Sequence, residues 1–375
     1  MANLYTPYNR RPEQARLNRF LRIPMITAAM IKAALGGNVC KINDVFPLFH
    51  FEDDLNKYQL FKLKMKMVYY RFAYEYIYNE IFLLDFDNHT KKENLKNVST
   101  YEYLRVMREI ISNQDPEIIE TFRDKRKTYR KFSKYFKRDV VIIEKPEDYR
   151  EFSDFIAKHK KFVVKTARED NGKGIKFFDL EKDNISPKEI FNNALKDGAL
   201  VEEIIKQAGL LNDINPSSVN TIRFVTFFNE GKLTKVACGL RMGRTGEKLD
   251  NMARGGLSVG IDPESGIIFS KGQRKFCKQR FERHPDSNIK FVGTQIPHWD
   301  ELLETVEEIV RVYPEKHFVG WDFAYSDKGW CITEANGTPG NDLTSTVAKE
   351  GLRPLYSKTL FTLVKDCEKY QKAIY

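Results

Sequence analysis

Residues 319–342 read V-G-W-D-F-A-Y-S-D-K-G-W-C-I-T-E-A-N-G-T-P-G-N-D, and no other stretch constrains the fold as strongly. Two runs rich in aromatic and β-branched residues, 319–326 and 330–336, flank Asp327-Lys328-Gly329. Such runs favour strands, and a three-residue loop ending in glycine makes a type I turn plus a bulge, with Gly329 left-handed. Counting back from the loop sets Ser326 opposite Trp330 and Asp322 opposite Glu334, with Asn336 two residues further along the same side. Facing Cβ atoms on paired strands lie roughly 4.5–5.5 Å apart, so the two carboxylates repel. A hard divalent cation turns that repulsion into coordination, since Mg²⁺ takes oxygen ligands, usually one or two carboxylates with substrate phosphates. The plainer alternative is a solvated hairpin whose acids face water. Against it stands the E-A-N-G-T-P-G tail, a stiffened turn suited to a backbone N–H anion site.

A chain of 375 residues with 42% hydrophobic content buries a large core and is long enough for two or three lobes. The excess of 62 Lys+Arg over 52 Asp+Glu favours an anionic partner such as a nucleotide, nucleic acid, acidic glycan or membrane surface. Five scattered cysteines without a C-x-x-C pair argue against a disulfide framework or structural zinc and fit a reducing cytoplasm. The first residues lack the apolar core of a signal peptide, and the apolar run 23–35 contains Pro24 and Lys32 and is too short to span a bilayer. The six histidines form no H-E-x-x-H spacing and read as ordinary surface or core residues.

Along the chain, residues 1–20 are polar and basic, and 24–113 carry a mostly helical pattern. Residues 60–84, dense in Tyr, Phe and Met with Lys62, Lys64, Lys66 and Arg71, read as a helix packed on the body, with a membrane-surface helix as the alternative. Residues 122–138 are the most basic run. Phe122, Tyr129, Phe132, Tyr135 and Phe136 recur at helical spacing, so a single helix buries one face and shows lysines and arginines on the other, either solvated or facing phosphate or glycan. Strands at 139–143 and 161–165 are separated by a helix over 146–158. Asn171-Gly172-Lys173-Gly174 then turns into a strand at 175–178, a glycine hairpin whose N–H groups and lysine can close over polyphosphate. It is not a Walker P-loop, and there is no G-x-G-x-x-G. A strand at 199–205 carries Glu202, Glu203 and Ile205, and one at 220–228 carries Arg223. A further strand follows at 233–239. Arg241, Arg244 and Arg254 gather among glycines as a mobile loop beside an anion. A strand at 256–261, an amphipathic helix at 300–311 and a closing helix at 352–373 complete the chain.

The order of a D-K helix, strand lysine, glycine hairpin, V-E-E strand, arginine strand and D…E-x-N resembles the ATP-grasp superfamily. Within it, P-S-S-V-N-T-I-R-F-V-T, A-R-G-G-L-S-V-G-I-D and the opening stretch are similar to the sugar-transfer-associated ATP-grasp family found with surface-polysaccharide or capsule synthesis. The likeness runs over residues 116–350, and 69–103 resembles that family's N-terminal portion. The resemblance implies an α+β chain of the ATP-grasp fold. It would have a mainly helical region (1–115), a lobe with the phosphate-covering hairpin (116–205) and a lobe with the metal site and C-terminal helix (206–375).

Position by position, the resemblance implies that Lys125, Lys165 and Asn171, Gly172, Lys173 and Gly174 hold the phosphates of ATP, and that Glu202, Glu203 and Ile205 read adenine and ribose. Asp322, Glu334 and Asn336 would ligate magnesium, with two ions expected. Carboxylate–amine ligases of this kind carry an arginine two residues before the first metal aspartate, where this chain has Gly320. That leaves Arg223, Arg254 or Arg241 to supply the stabilising charge. The implied activity is an ATP-dependent ligase joining a carboxylate, of a glycan uronic acid or an amino acid, to an amine, peripheral to membrane-bound glycan machinery and without nucleic acid. A grasp-type kinase and a non-enzymatic polyanion-binding protein are the alternatives.

Overall fold

Helices fill the first third of the chain and strands dominate the rest of it. The computed structural model describes residues 19–49, 55–168, 174–247, 255–275, 277, 279–365 and 367. The opening helices are α1 (Arg19–Ala34), α2 (Ile42–Val45), α3 (Lys57–Tyr74), α4 (Tyr78–Leu83), α5 (Lys91–Asn94) and α6 (Thr100–Ser112), followed by α7 (Pro116–Arg123) and α8 (Lys125–Phe132). Then come β1 (Val140–Ile143), α9 (Tyr149–Lys158), β2 (Lys161–Thr166), β3 (Ile175–Asp179), α10 (Pro187–Asp197) and β4 (Ala199–Glu203). The last part of the chain holds α11 (Gly209–Ile214), β5 (Thr221–Asn229), β6 (Lys232–Met242), β7 (Leu257–Ile261), α12 (Trp299–Ile309), β8 (Phe318–Ser326), β9 (Gly329–Asn336), α13 (Asn341–Thr346) and α14 (Arg353–Lys358).

Two antiparallel sheets result, one ordered β1-β4-β2-β3 and the other β7-β6-β5-β8-β9. The fold is α+β with a mainly helical N-terminal region, as expected. On the first sheet, α9 and α10 lay Phe152, Phe155, Ile156, Ile190, Phe191 and Ala194 against Ile143, Phe162, Val164 and Val201. The second sheet is covered on both faces, which explains why β5 and β8 are buried almost without interruption. Phe224 and Trp321 pack with α12 and with Phe132 of α8, while Val225, Phe227 and Phe318 turn to the opposite core with α6, Tyr356, Leu360 and Phe361.

Three helix expectations need correction. Residues 60–84 are packed as expected, with Met67, Val68 and Tyr70 buried, but the helix stops where Glu75 turns left-handed (φ 63°) and α4 restarts after it. Residues 122–138 are not one helix: Asp124, with extended backbone (φ −101°, ψ 110°), ends α7 and caps α8, its carboxylate accepting the Arg126 N–H. The closing helix ends at Lys358, because Thr359 (φ −131°, ψ −93°) turns the chain so that Leu360 and Phe361 are fully buried; the stretch 368–373 lies outside the described residues.

The five cysteines are free. Among the described residues no single helix is long and apolar enough to cross a membrane. The helical N-terminal region is fastened to the C-terminal end by Arg353, whose guanidinium meets the Glu102 carboxylate at 2.6 and 3.0 Å with both side chains buried. Arg353→Met strands the Glu102 charge, so chemical denaturation should show a loss of about 3–5 kcal/mol, against almost none if the pair were solvated.

Candidate active site

Asp322 does face Glu334 across β8 and β9, but by another route than the count from the loop. Ser326 pairs with Gly329 and Tyr325 with Trp330, one residue out from the expected register. The ladder then shifts between Asp322 and Phe323, leaving Thr333 as the extra residue of a bulge, and this restores the Asp322–Glu334 pairing. The Ser326 hydroxyl explains the tighter tip, donating to the Gly329 carbonyl and accepting the Lys328 N–H. Bulges re-aim neighbouring side chains, and here one sits directly before Glu334.

The Asp322 carboxylate is 1% exposed. Arg223, its partner across β5, donates Nε to Oδ1 and Nη2 to Oδ2, the latter at 2.9 Å. Arg241 of β6 adds a bond from Nη2 to Oδ2 at 3.0 Å and braces itself on the Thr221 hydroxyl. Burial alone would push the carboxyl up, but the two guanidinium groups hold it below the ordinary carboxylate range. The absent arginine at Gly320 also has an explanation. A Cβ there would sit 3.2 Å from the Arg223 Cδ and 2.7 Å from the Pro339 Cβ, so the space is already filled from the neighbouring strand. Glu334 is half-buried, and the Asn336 amide nitrogen lies 3.5 Å from Asp322 Oδ2.

The first sheet supplies the facing wall. Lys125 opens α8, its N–H donates to the Ala167 carbonyl at the end of β2, and its Nζ lies 3.7 Å from Glu334 Oε1. Lys165 of β2 reaches Glu202 at 2.9 Å and the Thr333 carbonyl at 3.3 Å. Glu202 is therefore buried between cations: Arg138 meets it through Nε and Nη2 at 3.0 and 2.8 Å. Burial raises the Glu202 carboxyl, yet Arg138 and Lys165 outweigh it and the group titrates below its usual value. Glu203 points elsewhere, to Lys328 at the hairpin tip at 2.9 Å. Ile205 lies in the segment that runs along that tip, with Asp327 donating to the Lys206 carbonyl and Ala208 to that of Tyr325. Gly174 closes the β2–β3 hairpin by accepting the Thr166 N–H, whereas Asn171, Gly172, Lys173 and Arg254 lie outside the described residues.

Arg138 was read from the sequence only as the end of a basic helix. It is buried where the two sheets meet, also donating to the Ile332 carbonyl at 2.7 Å, and its place immediately before a strand was the available signal. Lys316 was missed entirely. It lies buried beneath the G-T-P-G turn, donates to Gln114 at 3.0 Å, and is pushed down to about 8 by burial. A Cβ on Gly337 would press on Lys316 and on Phe122 at 2.8 Å, so that turn requires glycine. The row of basic residues over 122–138 is met by acids: Arg126 by Asp124, Lys127 by Glu117, Arg130 by Glu144 and Lys134 by Glu308.

Three oxygen-bearing side chains, Asp322, Glu334 and Asn336, thus share one stretch of the β8–β9 hairpin, with Lys125 against Glu334 and Lys165 against the Thr333 carbonyl. An all-oxygen donor set suits a hard cation such as Mg²⁺, and the lysines suit the anion it would neutralise.

The sequence matches the family model for sugar-transfer associated ATP-grasp proteins over residues 110–360, well over half of the chain. The chain belongs to the sugar-transfer-associated ATP-grasp family. Comparison with curated proteins gives no match. Among solved structures, this family member is similar to D-alanyl-alanine synthetase A from Vibrio cholerae (13% identity, 70% of this chain and 67% of that one, TM-score 0.39). It is also similar to N5-carboxyaminoimidazole synthetase from Staphylococcus aureus complexed with ADP (15% identity, 66% and 53%, TM-score 0.39). An L-amino acid ligase from Bacillus licheniformis is a third (13% identity, 61% and 44%, TM-score 0.35).

A depressed carboxylate contributes stability that is present above its unfolded value and lost as pH falls through the folded one. Stability of the native chain should therefore weaken as pH drops below ~4.3, the ordinary glutamate value. Glu202→Gln should be less stable at neutral pH and show a shallower slope in that acidic window. Identical slopes would remove Glu202 from the account.

Proposed function

We propose that this ATP-grasp protein is an ATP-dependent carboxylate–amine ligase working through an acyl phosphate. The observation that carries the reading is the meeting of the two walls, with Lys125 Nζ 3.7 Å from Glu334 and Lys165 against the strand that carries it. Polyphosphate clasped by lysines, with its metal held by acids of the opposing strands, accounts for both halves of that arrangement. Asp322, Glu334 and Asn336 would hold Mg²⁺, two ions in the fullest form of the reading, which when bound withdraws charge from the phosphates.

Lys125 and Lys165 stabilise the charge that spreads over the γ-phosphoryl group, and Arg223 and Arg241 keep the Asp322 carboxylate ionised and aimed. The substrate carboxylate attacks the γ-phosphorus, its oxygen forming the new P–O bond as the bond to ADP breaks. The amine then attacks the acyl carbon, phosphate departs, and the amine loses a proton. Such catalysis rests on positioning and electrostatics, in keeping with the absence of a nucleophilic triad from the residues gathered here. A uronic acid of a surface glycan or an amino acid is the carboxylate partner we favour, in view of the family's association with sugar transfer.

Turnover of Mg-ATP, screened against uronic-acid glycans with an amino-acid pool, should release ADP in step with amide formed. Phosphate recovered on an alcohol acceptor instead would make the protein a kinase. Glu334→Gln should keep the native melting curve and lose ADP formation by ~100-fold or more, the scale for removing a major charge-stabilising group. Undiminished turnover in that variant would overturn the metal assignment.

A further inference from the structure

Helix α1 is apolar on both sides, though only one side is covered. Ala29, Ala33 and, in part, Met30 pack into the N-terminal core. Ile23 and Ile31, each 56% exposed, and Leu35, 83% exposed, lie on the other side. The Leu35 N–H still donates to the Ile31 carbonyl, so helical geometry reaches Leu35 and the three residues fall within about 120° of one another. Thr27, between them, returns its hydroxyl to the Ile23 carbonyl and leaves no unmet polar group on that face. A helix that is apolar all round belongs in an apolar medium.

Exposed apolar side chains also lie on α3, which packs beside α1. Lys64 donates to Asn43, which donates to the Gly36 carbonyl, and this chain of bonds sets the Leu35 end of α1 beside the first turns of α3. Those turns expose Tyr58 (73%) and Phe61 (47%). With Met25 of α1, six of the nine large apolar residues exposed among the described residues lie on these two helices or directly beside them, a concentration that scattered surface residues do not show.

Charge decides the partner. Lys32, Lys57 and Lys62 are exposed on the two helices, and neither α1 nor the first two turns of α3 contains an acid. Glu52, Asp53 and Asp54 lie outside the described residues. Apolar side chains ringed by lysines match the surface of a bilayer with anionic headgroups, into which the face inserts while the lysines stay at headgroup level. Among the described residues no single helix is long and apolar enough to span, and the apolar stretches 23–34 and 39–48 meet at a 75° bend.

We propose that the outer face of α1 and the first turns of α3 dock on an anionic lipid surface and hold the catalytic sheets beside it. The full chain should co-sediment with phosphatidylcholine vesicles containing one-quarter phosphatidylglycerol, bind pure phosphatidylcholine weakly, and detach as salt rises. Ile31→Glu and Leu35→Glu should each weaken vesicle binding about tenfold or more, with the melting curve and its Mg-ATP shift unchanged, since both side chains already face outward. Phe61→Glu repeats the test on the second helix. Absence of wild-type binding to anionic vesicles would overturn the proposal, as would binding that survives all three substitutions. So would concentration-dependent dimerisation that the same substitutions abolish, because the face would then belong to a second copy. The vesicle readout is independent of ATP turnover, so failure here and failure of the ligase reading are separately visible.

Discussion

A carboxylate with almost no solvent, gripped by two guanidinium groups, lies at the centre of this structure. Burying three charges costs several kcal/mol each, and the cost is offset only when geometry satisfies every oxygen. Asp322, Arg223 and Arg241 meet that condition because β8, β5 and β6 are neighbours in one sheet: Arg223 stands opposite Asp322, and Arg241 reaches in from opposite Thr221, two residues along β5. The register of the second sheet is therefore tied to the ion cluster, and the cluster in turn fixes where Glu334 is displayed on β9.

The hairpin β8–β9 is also where the first sheet lands. Arg138 reaches the Ile332 carbonyl, Lys165 the Thr333 carbonyl, Lys125 the Glu334 carboxylate, and Lys328 reaches back to Glu203. Successive residues of one strand thus receive three cations from the opposite wall. Charge of this sign, set against oxygen donors, would concentrate a polyanion between the sheets, which is the physical content of the proposed ligase reading.

Much of this was legible from sequence because the pairing of Asp322 with Glu334 follows from alternation and a turn. The success was partly compensated error. The tip is one residue tighter than counted, and the bulge at Thr333 adds that residue back. Neither has a sequence mark, since threonine is an ordinary strand residue and the Ser326 side-chain bonds exist only once the turn has formed. The break at Asp124 was readable as a helix cap but was masked by apolar spacing that continues through it. Some acids that answer the basic run are near in sequence (Glu117, Asp124, Glu144), but Glu202 and Glu308 are distant, and which acid meets which base is set only by the fold, so a solvated charged stripe and a neutralised one looked alike. Arg138 escaped notice for the same reason: its partners are 64 and 194 residues away.

The central claim is spatial: a triphosphate lies between Lys125 and Lys165 on one wall and the oxygens of Asp322, Glu334 and Asn336 on the other. A crystal structure grown with Mn²⁺ and a non-hydrolysable ATP analogue tests it most directly. The account predicts an anomalous peak within coordination distance of a Glu334 oxygen and of Asp322 or Asn336, with both lysines on the phosphates. A nucleotide bound elsewhere, or a metal peak remote from Glu334, would contradict it.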